Sequence, residues 1–426
     1  MERLRVAKTN DYFIRNNKPV FLLADSVWCA FTNISIEEWD WYLDFRYCQG
    51  FNAVQISVLP LVLETKVFDI APFKLTTKGN FNFNKLNNDY FDKAEKMLIM
   101  ATKKGFVPYL AVTMCNYIPD ESEAFGRVEE KYIIPFDTLE KYTVQVMKSF
   151  AKFYPIFQVS EDTSFPSDRA IKYYLKILEI IKTIDPQALT TMHTSVKTVM
   201  IPDEFFDRVD LYMYQAGHFI EMQDNPYKYA QKYYNDAPVK KPIINTSVCY
   251  DGMGFGYKYG RFSELNIRKS IWQSILSGAK AGITYGAHGV WNWYKRGQQF
   301  LNEKCWQIPY DWQTAIRLNG ALEATYAKWI FETYKLFDIE PKPFIMNENE
   351  TQRNEIRMSS SKDKVVIYIP YNVDVRVNKN LKNYDFFIIN LGNKLIAKPR
   401  IEYNRKNTIF KMHDFNSDVL IIGQLK

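Results

Sequence analysis

Little in this sequence supports a disulfide-stapled, metal-bound or membrane-spanning protein. Cysteine occurs five times in 426 residues, at Cys29, Cys48, Cys115, Cys249 and Cys305, an odd, scattered set with no CxxC pair. That argues against a disulfide framework and a structural zinc. Histidine is scarcer still, with four copies that do not cluster, so no catalytic metal and no cofactor is expected. No apolar run approaches the length of a membrane span. The N-terminal stretch MERLRVAKTNDYF lacks the apolar segment of a signal peptide. A cytoplasmic location is therefore expected, or a secreted one if a leader has been removed. Positive charge is not concentrated either. The formal net charge is +7, yet Lys and Arg alternate with Asp and Glu throughout. Such mixing suits a solvated surface, so neither nucleic acid nor membrane is expected as a partner, and oligomeric state is left open. The glycine-rich Gly252-Met253-Gly254-Phe255-Gly256 follows no dinucleotide or phosphate-loop signature.

What the chain does have is length, an ordinary 47% of hydrophobic residues and a high 16% of aromatic ones. The length suits a barrel with an appendage. Tyr and Trp in excess suit carbohydrate faces, which stack on rings, and suit a large core equally well.

Short apolar runs alternate with helical periodicity from the N-terminus onward. Leu4 to Val20 turns at Asn16-Asn17-Lys18-Pro19 and reads as a hairpin leading into a first strand, Val20 to Ala24. Ser35 is the expected N-cap of the helix that follows, with Glu37 and Glu38 in its first turn. Further strands are expected at 52–58, 106–114, 156–159, 188–193, 209–214 and 241–248, and an eighth from Gly282 through Trp293. Helices are expected between them, among them 90–104, 136–153, 168–184 and 268–279. Eight alternations predict an α/β fold, a (β/α)8 barrel over residues 1–338. After Phe337 helical periodicity stops. Asp338 to Pro343 reads as a linker, and short β runs separated by Asn, Lys and Gly turns predict a small antiparallel β-sandwich over 339–426.

The focus of the chain is Ile156-Phe157-Gln158-Val159, a short buried strand stopping at Ser160-Glu161-Asp162. A strand that delivers acids at its carboxyl end is how a parallel barrel presents a catalytic carboxylate. The alternative is that the two acids cap the helix after Pro166.

The residues then resemble a known family, the apiosidase-like group of glycoside hydrolases. That group joins a cellulase-superfamily barrel to a C-terminal β domain of the collagen-binding type. The matching stretches are KPVFLLADSVW (18–28), GFNAVQISVL (50–59), SED (160–162), YQAGH (214–218), KPIINTSVCYDG (241–252) and GITYGAHGVWNWY (282–294), in order and each at an expected strand end. The resemblance implies a retaining glycosidase acting on a carbohydrate substrate, with the acid/base on the fourth strand at Asp162 and the nucleophile on the seventh. The family pattern has Glu where this chain has Ser247. A serine hydroxyl is a weak nucleophile without a base to activate it, and it carries no charge for an oxocarbenium-like transition state. Three accounts stand open: a natural homologue with weakened turnover that still binds sugar, an engineered variant, or another acid in the role, Asp251 or Glu161. Consecutive strand residues point opposite ways, which weakens a partnership of Glu161 with Asp162.

His218, His193 and Gln215 at strand ends, Asp25 and Trp28 after the first strand, Gln55 on the second and Tyr250 past the seventh are candidates for contacting substrate, or for packing around it. Trp291 and Trp293, two apart at the end of the eighth strand, should face one way and offer a platform under a sugar, or pack the barrel. The rival to an enzyme is a non-catalytic carbohydrate-binding homologue. The sandwich shows no cluster of exposed aromatics and is expected chiefly to stabilise the barrel.

Overall fold

The computed structural model describes residues 2–62, 68–121 and 129–426. The chain opens with a three-stranded antiparallel sheet, β1 (Arg5–Val6), β2 (Phe13–Arg15) and β3 (Lys18–Val20). Asn16 and Asn17 join β2 to β3 with φ of 52° and 58°. Two left-handed residues in a two-residue turn match the twist of a hairpin, and Asn tolerates that conformation well.

The barrel follows, from β4 (Leu22–Ser26) and β5 (Ala53–Ser57). A hairpin of β6 (Phe73–Leu75) and β7 (Phe81–Leu86) interrupts it. It continues with β8 (Val107–Met114), β9 (Ile156–Glu161), β10 (Leu189–Thr191), β11 (Tyr212–Gln215), β12 (Ile243–Ser247) and β13 (Gly282–Tyr285). All eight pair in parallel in the order β10-β9-β8-β5-β4-β13-β12-β11. A parallel bridge between His193 and Met213, just past β10 and within β11, links the two ends of that order and closes the ring.

The period-2 alternation of strand side chains sorts them into two cores. Leu22 and Ala24 of β4, Ala53 of β5, Val107 and Tyr109 of β8, Ile156 of β9 and Ile244 of β12 point inward, and Leu4, Phe13 and Val20 of the N-terminal sheet pack onto them. That sheet therefore plugs the amino end of the barrel and leaves the carboxyl end free. Residues of the other parity, such as Leu23, Val54 and Phe157, face the surrounding helices. Ser35 caps the helix Ile36–Cys48 as expected, in a capping box with Glu38. The helix Asp168–Ile184 keeps its expected bounds. The eighth strand is shorter than expected: β13 stops at Tyr285, and the stretch through Trp293 is turn.

The C-terminal region is a β domain of two antiparallel sheets. One has the order β14 (Glu340–Pro341), β15 (Arg357–Ser360), β16 (Lys364–Ile369), β22 (Val419–Leu425), β18 (Tyr384–Asn390), β19 (Ile396–Ala397); the other has β17 (Val375–Val377), β21 (Thr408–Phe410), β20 (Ile401–Tyr403). The expected linker is partly strand, because Glu340 and Pro341 pair with Ser360 and Ser359. A short helix, Glu350–Glu355, stands where no helix was expected.

The larger sheet serves two cores at once. Val365, Ile367 and Ile369 of β16, with Val419 and Ile421 of β22, pack inside the sandwich. Their alternates Val366, Tyr368, Leu420 and Ile422 belong to the barrel's outer core. Buried charge ties the same face down: Arg268, on the helix Glu264–Ile275, donates to Asp418 (2.9 Å) and lies 3.2 Å from Glu323. Among the described residues no helix is long and apolar enough to cross a membrane.

Candidate active site

A cleft opens at the carboxyl end of the barrel strands. Nine residues singled out in the sequence line it: Trp28, Glu161, Asp162, His193, Gln215, His218, Ser247, Tyr250 and Trp291. They come from the ends of β4, β9, β10, β11, β12 and β13, and closure of the ring brings them together.

Asp162 is the ionisable centre. β9 runs through Glu161, and Asp162 then turns to φ 53°, a left-handed conformation that Asp tolerates better than most residues. Strand alternation thus ends one residue before it would have separated the two acids, and both line the cleft. Gln215 Nε2 donates to Asp162 Oδ1 and also to the Thr194 carbonyl (3.1 Å). Burial pushes the Asp162 carboxyl from an ordinary 3.8 up to about 7; the Gln215 hydrogen bond opposes that and the nearby Glu121 carboxylate adds to it.

Glu121 holds the loop that carries Asp162. It is buried and accepts hydrogen bonds from Thr163 Oγ1 (2.6 Å), Ser164 N (3.0 Å), Ser164 Oγ (2.6 Å) and the Tyr174 hydroxyl (2.5 Å). The loop needs that anchor, because Phe165 also sits at positive φ, 55°.

The histidines are neutral and their tautomers follow from backbone donors. Asp162 N–H donates to His193 Nδ1 (3.3 Å) and Tyr250 N–H to His218 Nδ1 (3.3 Å), so each ring carries its hydrogen on Nε2. Burial lowers both rings to about 3. His218 Nε2–H then points at Ser247 Oγ, 3.2 Å away, and donates to it. A ring that donates to the serine cannot take its proton, so this pair is not an activated nucleophile. His193 Nε2–H is buried and has no hydrogen-bond partner among the described residues. Gly217 makes the turn to His218 at φ 94°; a Cβ there would lie 2.2 Å from Val196 Cγ2.

Aromatic rings form the remaining wall. Trp28 Nε1–H donates to the Tyr250 hydroxyl (2.8 Å), and Tyr250 packs on His218 at 4.2 Å between centroids. Trp291 Nε1–H donates to His288 Nδ1 (3.2 Å), and His288 Nε2–H in turn to the Gln307 carbonyl (2.9 Å).

Four expected residues lie elsewhere. Asp25 has the parity of Leu23 and faces the helices, where Arg46 Nε (2.6 Å) and the Tyr42 hydroxyl (2.8 Å) hold it in a buried ion pair. Gln55 has inward parity but sits within the barrel, accepting from Ser26 Oγ (3.2 Å) and not reaching the cleft. Trp293 was expected to face the same way as Trp291. With β13 ending early and Trp293 at φ 46°, strand alternation does not apply. Its ring stacks on Trp312 at 4.1 Å and its Nε1–H donates to Glu38 (3.1 Å). Asp251 accepts from Gly320 N–H (2.7 Å) and the Tyr285 hydroxyl (3.1 Å), fastening the end of β12 to the helix Gly320–Thr333. Outside the cleft, it is no candidate second carboxylate.

Sequence reasoning missed Leu61, Met114, Val196, Phe219, Met253 and Trp306, which complete the lining. Met114 ends β8, a position that strand topology alone could have flagged. Trp306 lies in a long connection with no periodic pattern, and only its residue type marks it.

A sequence model of the apiosidase-like catalytic domain matches residues 7–338. No curated protein matches the chain. Among solved structures, one described as a glycoside hydrolase superposes with a TM-score of 0.80 at 17% identity, over 100% of this chain and 97% of its own. A family 5 glycoside hydrolase from Bacteroides vulgatus gives 0.81 at 17% identity, over 99% and 93%. A family 30 endoxylanase from Clostridium papyrosolvens gives 0.51 at 12%, over 95% and 96%. At such identities the likeness is one of fold.

Proposed function

We propose, from the premise that the chain belongs to the apiosidase-like family, that it acts on O-glycosidic bonds of an oligosaccharide or polysaccharide, with residues 1–338 carrying the site and 339–426 supporting it. The observation that carries this is Asp162, a carboxyl raised to about 7 by burial in a cleft walled by Trp28, Trp291 and Trp306. A carboxyl still protonated near neutrality can donate its proton to the departing glycosidic oxygen as the C–O bond breaks. Indole faces suit the CH face of a pyranose or furanose ring.

A retaining mechanism needs a second carboxylate about 5 Å from the first to form a glycosyl-enzyme intermediate. In this proposal Ser247 occupies that carboxylate's seat, and its place beside His218 Nε2–H supports the assignment, because the same donor would steady an anion there. Turnover is then weak in this chain. The donation from His218 to Ser247 also favours a second reading, a carbohydrate-binding homologue that has lost turnover.

A panel of glycosides with alkyl leaving groups separates the two. Ser247→Glu should create or raise activity, and added formate should do so in the unaltered protein by lending a carboxylate. Asp162→Asn should lower that activity by about 10²–10⁴-fold. Binding without turnover in every variant would support the second reading and remove the seventh-strand assignment.

A further inference from the structure

Residues 253–262, after β12, form a hairpin that builds one rim of the cleft. Phe262 N–H donates to the Met253 carbonyl (2.9 Å) and Phe255 N–H to the Gly260 carbonyl (3.2 Å), while Gly254 and Arg261 are antiparallel partners. One side of the hairpin is continuous with the cleft wall. Met253 lines the cleft; Gly254 N–H donates to the carbonyl of Trp306 (2.9 Å), another lining residue. Gly256, at φ 74°, lies so close to Phe219 that a Cβ would fall 2.3 Å from its ring, and Phe219 lines the cleft too. The other side is tied by Arg261 Nη1 to the Gly252 carbonyl (2.7 Å) and by Gln307 Nε2 to the Gly260 carbonyl (2.9 Å).

On this anchored frame stand the two most exposed large hydrophobic side chains among the described residues, Tyr257 at 79% and Tyr259 at 102%. Tyr257 is held at φ 25°, a conformation that local backbone preference does not favour for an aromatic residue. Lys258 between them pairs with Glu221, so the tip presents ring faces and hydroxyls without an uncompensated charge. Anchoring removes much of the ordering cost that a loose loop would incur on binding.

We infer that Tyr257 and Tyr259 form an outer stacking platform for sugar units beyond the one held in the cleft, so that the ligand is an uncharged oligosaccharide chain and not a lone monosaccharide. This rests on the cleft being a sugar site. Two exposed tyrosine rings at the tip match the apolar faces of sugar rings, and their hydroxyls match the ring edges. A protein partner is the competing occupant, but continuity with the cleft through Met253, Phe219 and Trp306 favours a chain already threaded there.

The test is calorimetric binding of xylo- and manno-oligosaccharides of two to six units, and of their parent polysaccharides, to the full chain and to Tyr257→Ala/Tyr259→Ala. Affinity of the unaltered protein should climb with chain length. The double variant should lose about tenfold on the longest chains and nothing on the shortest. Tyr257→Phe/Tyr259→Phe should keep most of the affinity, since the ring faces remain. Both rings are exposed, so the variants should melt with the unaltered protein. Glycan binding that is the same in the unaltered protein and the double variant at every length overturns the platform alone. An unaltered protein that binds no glycan at all overturns the sugar-cleft reading and the platform with it.

Discussion

Replacing Asp162 by Asn should stabilise the protein at alkaline pH and do nothing for it near pH 4. The folded state holds this carboxyl at about 7, against an ordinary 3.8 in the unfolded chain. Below pH 3.8 both states are protonated and the group costs nothing. As pH rises from 3.8 towards 7 the unfolded state releases its proton first, so folding stability drains away, and above 7 the full penalty applies. At 1.36 kcal/mol per pH unit that penalty is about 4 kcal/mol. Asn does not titrate, it tolerates the left-handed backbone that Asp162 adopts, and its side-chain oxygen can still accept from Gln215. With an unfolding entropy of about 2.1 cal/mol/K per residue, the variant should melt roughly 4–5 °C above the unaltered protein at pH 8 and level with it at pH 4. Paired thermal scans across that range read the difference directly, because titrating groups that do not interact with Asp162 cancel. A gap that does not change with pH, or an Asn variant less stable at pH 8, would refute the assigned ionisation.

In Ser247→Glu, or in the formate-supplemented protein, kcat should decline as pH rises through about 7, where Asp162 loses the proton it must donate. A pH–rate profile that stays flat to pH 9 would count against Asp162 as the acid. Glu121→Ala should cost about 3 kcal/mol in urea unfolding, because Thr163, Ser164 and Tyr174 lose a charged acceptor. Arg268→Met should cost about 3–5 kcal/mol by taking the cation away from buried Asp418, while Glu323 keeps its pairing with Lys394. A loss under 1 kcal/mol would mean that water reaches that contact.

Much of the barrel could be read from the chain because its signals are local. Ser35 with Glu38 marked a helix start, and the 168–184 periodicity marked a helix with its true bounds. The sheet's parity was available too: Asp25 shares the phase of Leu23, which points to the helix side and away from the cleft. What could not be read depends on where strands stop. A strand ending at Tyr285 and not at Trp293 sends the two tryptophans to different places, and a turn at Asp162 brings together two acids that alternation would part. Apolar contributors such as Val196 and Met253 carry no chemical signature, so only the folded ring reveals them. The short helix Glu350–Glu355 was missed because six residues span too little for periodicity to show.

The larger C-terminal sheet, with Tyr368 and Leu420 on one face and Ile367 and Ile421 on the other, makes the barrel and the β domain poor candidates for separate lives. A barrel severed before that sheet would bare the helix Glu264–Ile275 to water, and a freed sandwich would expose a greasy back prone to self-association. Shuffling of gene segments would therefore be expected to carry the pair as one cassette.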